Sequence, residues 1–263
     1  MSYLRLYVDA WKHSADAIAS LEVPSDAWER ETDLPGWRVR DILAHLVHLE
    51  RVLVEGEEEV RGKENAPVPS DYTNAGVDAL RNESVETLRA DFARLISARF
   101  GDLAELPEDG TTAPARTPAN APWDTETLLR NRAFDMWMHE QDIRRASDLP
   151  GNLDSPGAHI AVTILSMALP FVVGKKAKAP VGTHVRFVVT GPVAVDSAVV
   201  VGEDGRARAV EGADGKPDAT ITMDTETFVV LGGGRRTPDQ VNVEITGNSE
   251  LGQQMLSALN VTF

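Results

Sequence analysis

The sequence contains no cysteine. That absence excludes disulfides, thiolate metal ligands and a nucleophilic thiol supplied by the protein itself, so any thiol chemistry has to arrive with a cosubstrate. Positive charge is scarce too: 26 Lys and Arg stand against 41 Asp and Glu, a formal net charge of −15. Nucleic-acid binding depends on basic side chains neutralising phosphates, and this balance disfavours it. The excess acid, as in Glu55-Gly56-Glu57-Glu58-Glu59, reads as solvated surface. No uninterrupted apolar run is long enough to cross a bilayer. The stretch from Met1 to Leu6 lacks the basic and apolar segments of a signal peptide. The expectation is a soluble, cytoplasmic protein with no membrane or nucleic-acid partner. Also missing are a Gly-x-Ser-x-Gly elbow, a His-Glu-x-x-His pair and any repeat of fixed period. Gly232-Gly233-Gly234 is followed by no Lys-Ser or Lys-Thr pair, and so reads as the end of a helix, not a phosphate loop.

What is present suffices for one large domain or two ordinary ones: 263 residues, 42% of them hydrophobic. Leu4, Val8, Trp11, Ala15 and Ile18 recur at helical spacing, and Pro24 ends that first helix. After the turn at Pro35-Gly36, Val39, Ile42, Leu43, Leu46 and Leu53 form the apolar stripe of a second helix, with His45 at its border and His48 one turn on. A third helical region carries Val77, Leu80, Leu88, Phe92, Leu95 and Ile96, with a possible restart at Ser84, which can act as a cap. A long loop rich in Pro, Gly, Thr and Ala covers residues 102–122, and Asp124 offers an N-cap for a fourth helix. Four helices before residue 147 predict a bundle.

The fourth helix holds the most informative residues. Between Thr125 and Ala146 there is no Gly or Pro. Asp135 and His139 are four apart and stand on one face, with Asp142 a further turn along. Ala133, Phe134, Met136, Trp137, Met138 and Ile143 cover most of the remaining circumference, which predicts a buried helix and a buried polar line within it. Buried carboxylates and imidazoles are costly unless paired or bound to a metal. A hydrogen-bonded Asp135–His139 pair with no ligand is the plain alternative; a third donor would favour a metal, and His45 is the candidate.

Beyond Ala146 the pattern changes. Residues 147–152 form a plausible boundary, giving domains at 1–150 and 151–263. An apolar helix follows at about 158–172, and Lys175-Lys176-Lys178 reads as a solvated turn. Strands are predicted at 185–189, 198–201, 206–210, 219–223 and 241–245. Short helices are predicted after Asp224 and over about 249–259. This is an α+β domain with a mostly antiparallel sheet.

Leu34-Pro35-Gly36-Trp37-Arg38-Val39-Arg40-Asp41-Ile42-Leu43-Ala44-His45-Leu46, with Asp135 to Ala146, resembles the mycothiol-dependent maleylpyruvate isomerase family, one of the DinB-like metal-binding bundles. The C-terminal half, weakly and mainly over 231–235 and 243–259, resembles that family's sterol-carrier-like second domain. The resemblance implies a divalent metal, usually zinc, on His45, Asp135 and His139, with mycothiol as cosubstrate. The family's isomerases carry Glu where this chain has Asp135, so the carboxylate here reaches about one methylene less. Gly234-Arg235 matches a turn that directs a cation to the active site, which makes Arg235 a candidate clamp for a substrate carboxylate. Two imidazoles and one carboxylate leave open coordination positions, as in catalytic zinc sites, and ferrous iron takes the same set. Three functions stay open: an isomerase or thiol transferase acting on a small electrophilic acid, a metal-dependent hydrolase, or a protein binding a metal and an apolar ligand without catalysis.

Overall fold

The computed structural model describes residues 3–56, 68–210 and 215–262. Of the acidic run Glu55-Gly56-Glu57-Glu58-Glu59, the last three residues lie outside the described residues. The chain divides into two compact units, Met1–Ile160 and Ala161–Phe263.

The first unit is helical. α1 (Leu4–Ser20), α2 (Val39–Glu55), α4 (Val85–Asp102) and α5 (Thr125–Ala146) pack in the ring order α1–α5–α2–α4, and α3 (Ser70–Leu80) lies against α2. The third helical region is thus two helices. Ser84 separates them because its side chain accepts the Thr87 N–H at 3.1 Å and starts α4 afresh. Asp124 starts α5 in the same way, accepting from Thr127 N–H at 2.8 Å. At the head of α2 the Asp41 carboxylate reaches back to the Arg38 N–H at 2.9 Å. The core between these helices is built from Trp11, Ile42, Leu46, Leu88, Phe92, Leu95 and Met136, each almost wholly removed from water.

The second unit holds a five-stranded sheet in the order β3-β2-β1-β4-β5, formed by β1 (His184–Thr190), β2 (Val195–Val201), β3 (Ala207–Val210), β4 (Ala219–Asp224) and β5 (Glu244–Gly247). Among the described residues, only the β1–β4 pair is parallel. Alternation sets its faces: Val185, Phe187 and Val189 of β1 and Ala219, Ile221 and Met223 of β4 are buried, while Arg186 points outward and pairs with Asp196 at 2.5 Å. Two short helices, α8 (Thr225–Gly232) and α9 (Ser249–Ser257), pack on it. The approach of α9 to β5 requires Gly252, because a Cβ there would come within 2.4 Å of the Ile245 side chain. The glycine run does end α8: Gly234 takes φ 68°, and the Arg235 N–H closes back on the Val230 carbonyl at 2.8 Å.

Three elements differ from expectation, and the first is β2, expected at 198–201, which begins at Val195. The strand expected at 241–245 begins at Glu244, because its register is set by pairing Ala219 with Gly247 and Thr222 with Glu244. The apolar helix expected at about 158–172 is α6 (Pro156–Met167), followed by the short α7 (Leu169–Phe171) and a π-turn at Val172–Lys176. Taken together, Pro156–Lys176 has the length of a membrane-crossing helix and contains an 18-residue window of mean hydropathy 1.8, which counting only uninterrupted apolar residues misses. With 44% of that window buried inside the fold, the core helix of a globular protein accounts for it equally well.

Candidate metal centre

His45 of α2 and Asp135 and His139 of α5 are brought together inside the first unit, each offering a donor atom within 4.8 Å of the other two. The adjacency of α2 and α5 in the bundle achieves this, because donors 90 positions apart in the chain face each other across a single helix–helix contact. His139 and Asp142 are buried, as the apolar circumference of α5 predicts, whereas Asp135 keeps 29% of its side chain exposed. Water therefore reaches the centre on the carboxylate side.

The donors are held unequally. His139 Nε2 lies 3.3 Å from Asp135 Oδ1, and its Nδ1 lies 2.9 Å from Asp142 Oδ2. Asp142 in turn accepts from Arg145 at 2.5 Å, and Arg145 also reaches Asp33 at 2.9 Å. This is the arrangement in which a carboxylate fixes an imidazole so that its other nitrogen faces the ligand. His45 Nε2 stands 3.6 Å from Asp135 Oδ2, too long for a hydrogen bond, and neither of its ring nitrogens finds a hydrogen-bond partner among the described residues. A buried imidazole without such a partner is expensive. Such an imidazole is suited to ligating an ion, and the donor set of two imidazoles and one carboxylate fits a divalent transition ion with positions left open.

Electrostatics separate the two histidines. Burial pushes the His45 imidazole below its usual value, and the nearby Asp135 only partly opposes this. Burial acts on His139 in the same direction, but Asp135 and Asp142 outweigh it and hold that imidazole above its usual value. Burial would raise Asp135, yet His139 and Arg132 hold its carboxyl well below the usual carboxylate range. Without an ion, His139 is thus the group inclined to carry a proton and His45 the group inclined to stay neutral.

Trp37 forms part of the same surroundings. Its indole lies 5.0 Å from the His45 ring and 6.1 Å from the His139 ring, near-parallel to the latter at 28°, and its N–H donates to Asn74 on α3 at 3.0 Å. Trp37 belongs to the Pro35-Gly36 turn preceding α2, and this aromatic cover over two imidazoles is invisible to helical periodicity. His48 lies one turn beyond His45, its ring 5.3 Å from that of Tyr72 and tight against Gly76, where a Cβ would come within 2.2 Å of Nδ1. It takes no part in the three-donor cluster. Arg235 belongs to the second unit, where its Nη1 donates to the Gly233 carbonyl at 2.8 Å.

Fold and centre together define a class: a helical bundle with a two-histidine, one-carboxylate centre on adjacent helices, followed by an α+β unit. The chain belongs to the mycothiol maleylpyruvate isomerase family, whose N-terminal domain matches residues 7–144 and whose C-terminal domain matches residues 159–254. Among solved structures, it is similar to a mycothiol-dependent maleylpyruvate isomerase at 15% identity and TM-score 0.48. A histidine-to-alanine mutant of that isomerase gives 14% and 0.47. Each alignment covers 92% of this chain and 90% of the other. No curated protein matches.

Proposed function

We propose that this protein is a metal-dependent enzyme that uses mycothiol, or another small thiol, to isomerise a small electrophilic acid or to transfer the thiol onto it. The observation that carries this reading is the convergence of His45, Asp135 and His139, with the His45 nitrogens otherwise without a hydrogen-bond partner, in a chain of this family. His45, Asp135 and His139 would hold a divalent ion, zinc being the expected one, whose Lewis acidity would lower the pKa of a thiol and make it nucleophilic near neutral pH. The chain has no cysteine, so the thiol comes from solution.

The chain's own groups then have distinct tasks. Asp142 holds the His139 ring in one orientation through Nδ1. Trp37 shields the two imidazoles from bulk water on its side, while the partly exposed Asp135 marks the side open to small molecules. In this reading Arg235, a half-buried residue, supplies the cation that binds a substrate carboxylate; support comes from the Gly-Arg turn of the family. Arg235→Ala would then raise KM for an acidic substrate more than it lowers kcat.

A turnover screen of small unsaturated acids, with and without mycothiol, tests the proposal on protein whose metal content has been measured. Turnover that requires both the thiol and the ion supports it. Cleavage of the acid by water with metal but without thiol would identify a hydrolase instead, and a stoichiometric metal with no turnover of either kind would leave a binding protein.

A further inference from the structure

The bundle interior carries more charge than the three donors account for. Glu50 of α2 is fully buried, and its Oε1 accepts from Trp11 Nε1 on α1 at 2.9 Å and from Arg132 Nε and Nη2 on α5 at 3.2 and 2.7 Å. Its Oε2 lies 3.3 Å from Arg99 Nε on α4. One carboxylate therefore joins all four helices of the ring. Arg132, itself 3% exposed, has a remaining edge, and from it Nη1 donates to Asp135 Oδ2 at 2.6 Å. A single planar guanidinium thus bridges a buried carboxylate and the carboxylate of the candidate centre.

Guanidinium geometry makes this more than a charge balance. Because Nε and Nη2 are both fixed on Glu50, the plane of the group is set, and with it the direction of Nη1. Oδ2 of Asp135 is then occupied, and Oδ1 is the oxygen turned toward His139 Nε2. With Oδ2 held by Arg132, Asp135 has Oδ1 left to offer to an ion. We propose that Arg132, anchored by Glu50, is the residue that positions Asp135 as a metal ligand and presents one of its two oxygens to the ion. This rests on the metal reading given above and adds a residue pair to it that the chemistry of the donors alone does not identify.

The test is titration of the full chain with Co²⁺, read as a dissociation constant and as the visible absorption of the bound ion, which reports ligand number and geometry. Arg132→Lys keeps the charge but lacks the fork, and should weaken Co²⁺ binding about 10–100-fold and alter the absorption envelope. Glu50→Gln keeps shape but frees the anchored edge, and should shift both readouts in the same direction by less. Arg144→Lys, a change at another arginine of α5 that pairs with Glu140, should move neither. A folded Arg132→Lys protein with affinity within about twofold of the parent and an unchanged spectrum would overturn the proposal. If Arg132→Lys does not fold, Glu50→Gln decides by the same criterion, and loss of fold in both would reduce the network to a structural one. Failure of the unsubstituted chain to take up Co²⁺ would instead remove the metal centre itself, a different and earlier failure.

Discussion

Asp142→Asn is the sharpest probe of the histidine that the sequence places four residues after Asp135. The substitution keeps the shape of the side chain but removes the charge that faces His139 Nδ1 at 2.9 Å. Arg145 loses the charge of the partner at 2.5 Å but can still donate to the amide oxygen, and it keeps Asp33 at 2.9 Å, so α5 should stay packed. A ligand that loses such an orienting carboxylate is expected to lose about 10–100-fold in metal affinity, or roughly 1.4–2.7 kcal/mol. The pH dependence gives a second, independent readout. Burial lowers His139, but Asp135 and Asp142 more than reverse this, so the ion must displace a proton from His139 at any pH below that raised value. Affinity should therefore fall on acidification, by about tenfold per pH unit once His139 is protonated. With Asp142 neutral, one of the two raising charges is gone, and the onset of that fall should move to lower pH. Zn²⁺ titration against a chromophoric chelator across about pH 6 to 8 measures both effects. An affinity within about twofold of the parent, with an unmoved pH profile, would mean that His139 does not ligate through the nitrogen opposite Asp142.

Further expectations are simpler. Elemental analysis should find about one divalent ion per chain; His45→Ala and His139→Ala should abolish it, while His48→Ala, which alters a ring packed on Tyr72 and Gly76, should change affinity far less. Asp135→Asn should lower affinity with the helix intact, whereas Asp135→Glu should retain the ion and, if the missing methylene alone separates this chain from the isomerases, yield thiol-dependent isomerisation. Leu95→Ala, in the core on α4 and wholly buried, should cost about 2–5 kcal/mol in a denaturant melt without changing metal affinity. We also propose that the two halves fold as separate cores joined between Ser147 and Pro156; limited proteolysis there should leave a soluble helical fragment, and its absence would mean a shared core.

The helices were legible because their apolar stripes and caps are local: Ser84, Asp124 and Asp224 each accept the backbone N–H three residues on. The three donors were legible for a related reason, since Asp135 and His139 share a helix face, and His45 sits in a stretch whose resemblance to a known family singles it out. Glu50 was not, because a lone acid in an apolar stripe means little until α1, α4 and α5 bring Trp11, Arg99 and Arg132 to it. Arg132 carried a faint signal as the residue three before Asp135, a spacing that suits ion pairs on helices. Trp37 covers the imidazoles of two helices, tilted to His45 and near-parallel to His139, from a turn outside both, which no periodicity encodes. The shifted start of β5 reflects register, a property of its neighbour β4 and not of its own residues.

The placement of the donors on two helices has a consequence for the chain as a polymer. An ion shared by His45 and Asp135 would close a loop of about 90 residues, an enclosure that chain-entropy reasoning for a disulfide values at roughly 4–5 kcal/mol. A protein without cysteine would thereby gain a covalent-like tie between its second and fifth helices that can be made and undone by the free concentration of a metal. Its resistance to unfolding would then rise with the logarithm of that concentration, so the supply of the ion would govern how long the chain survives as well as whether it acts.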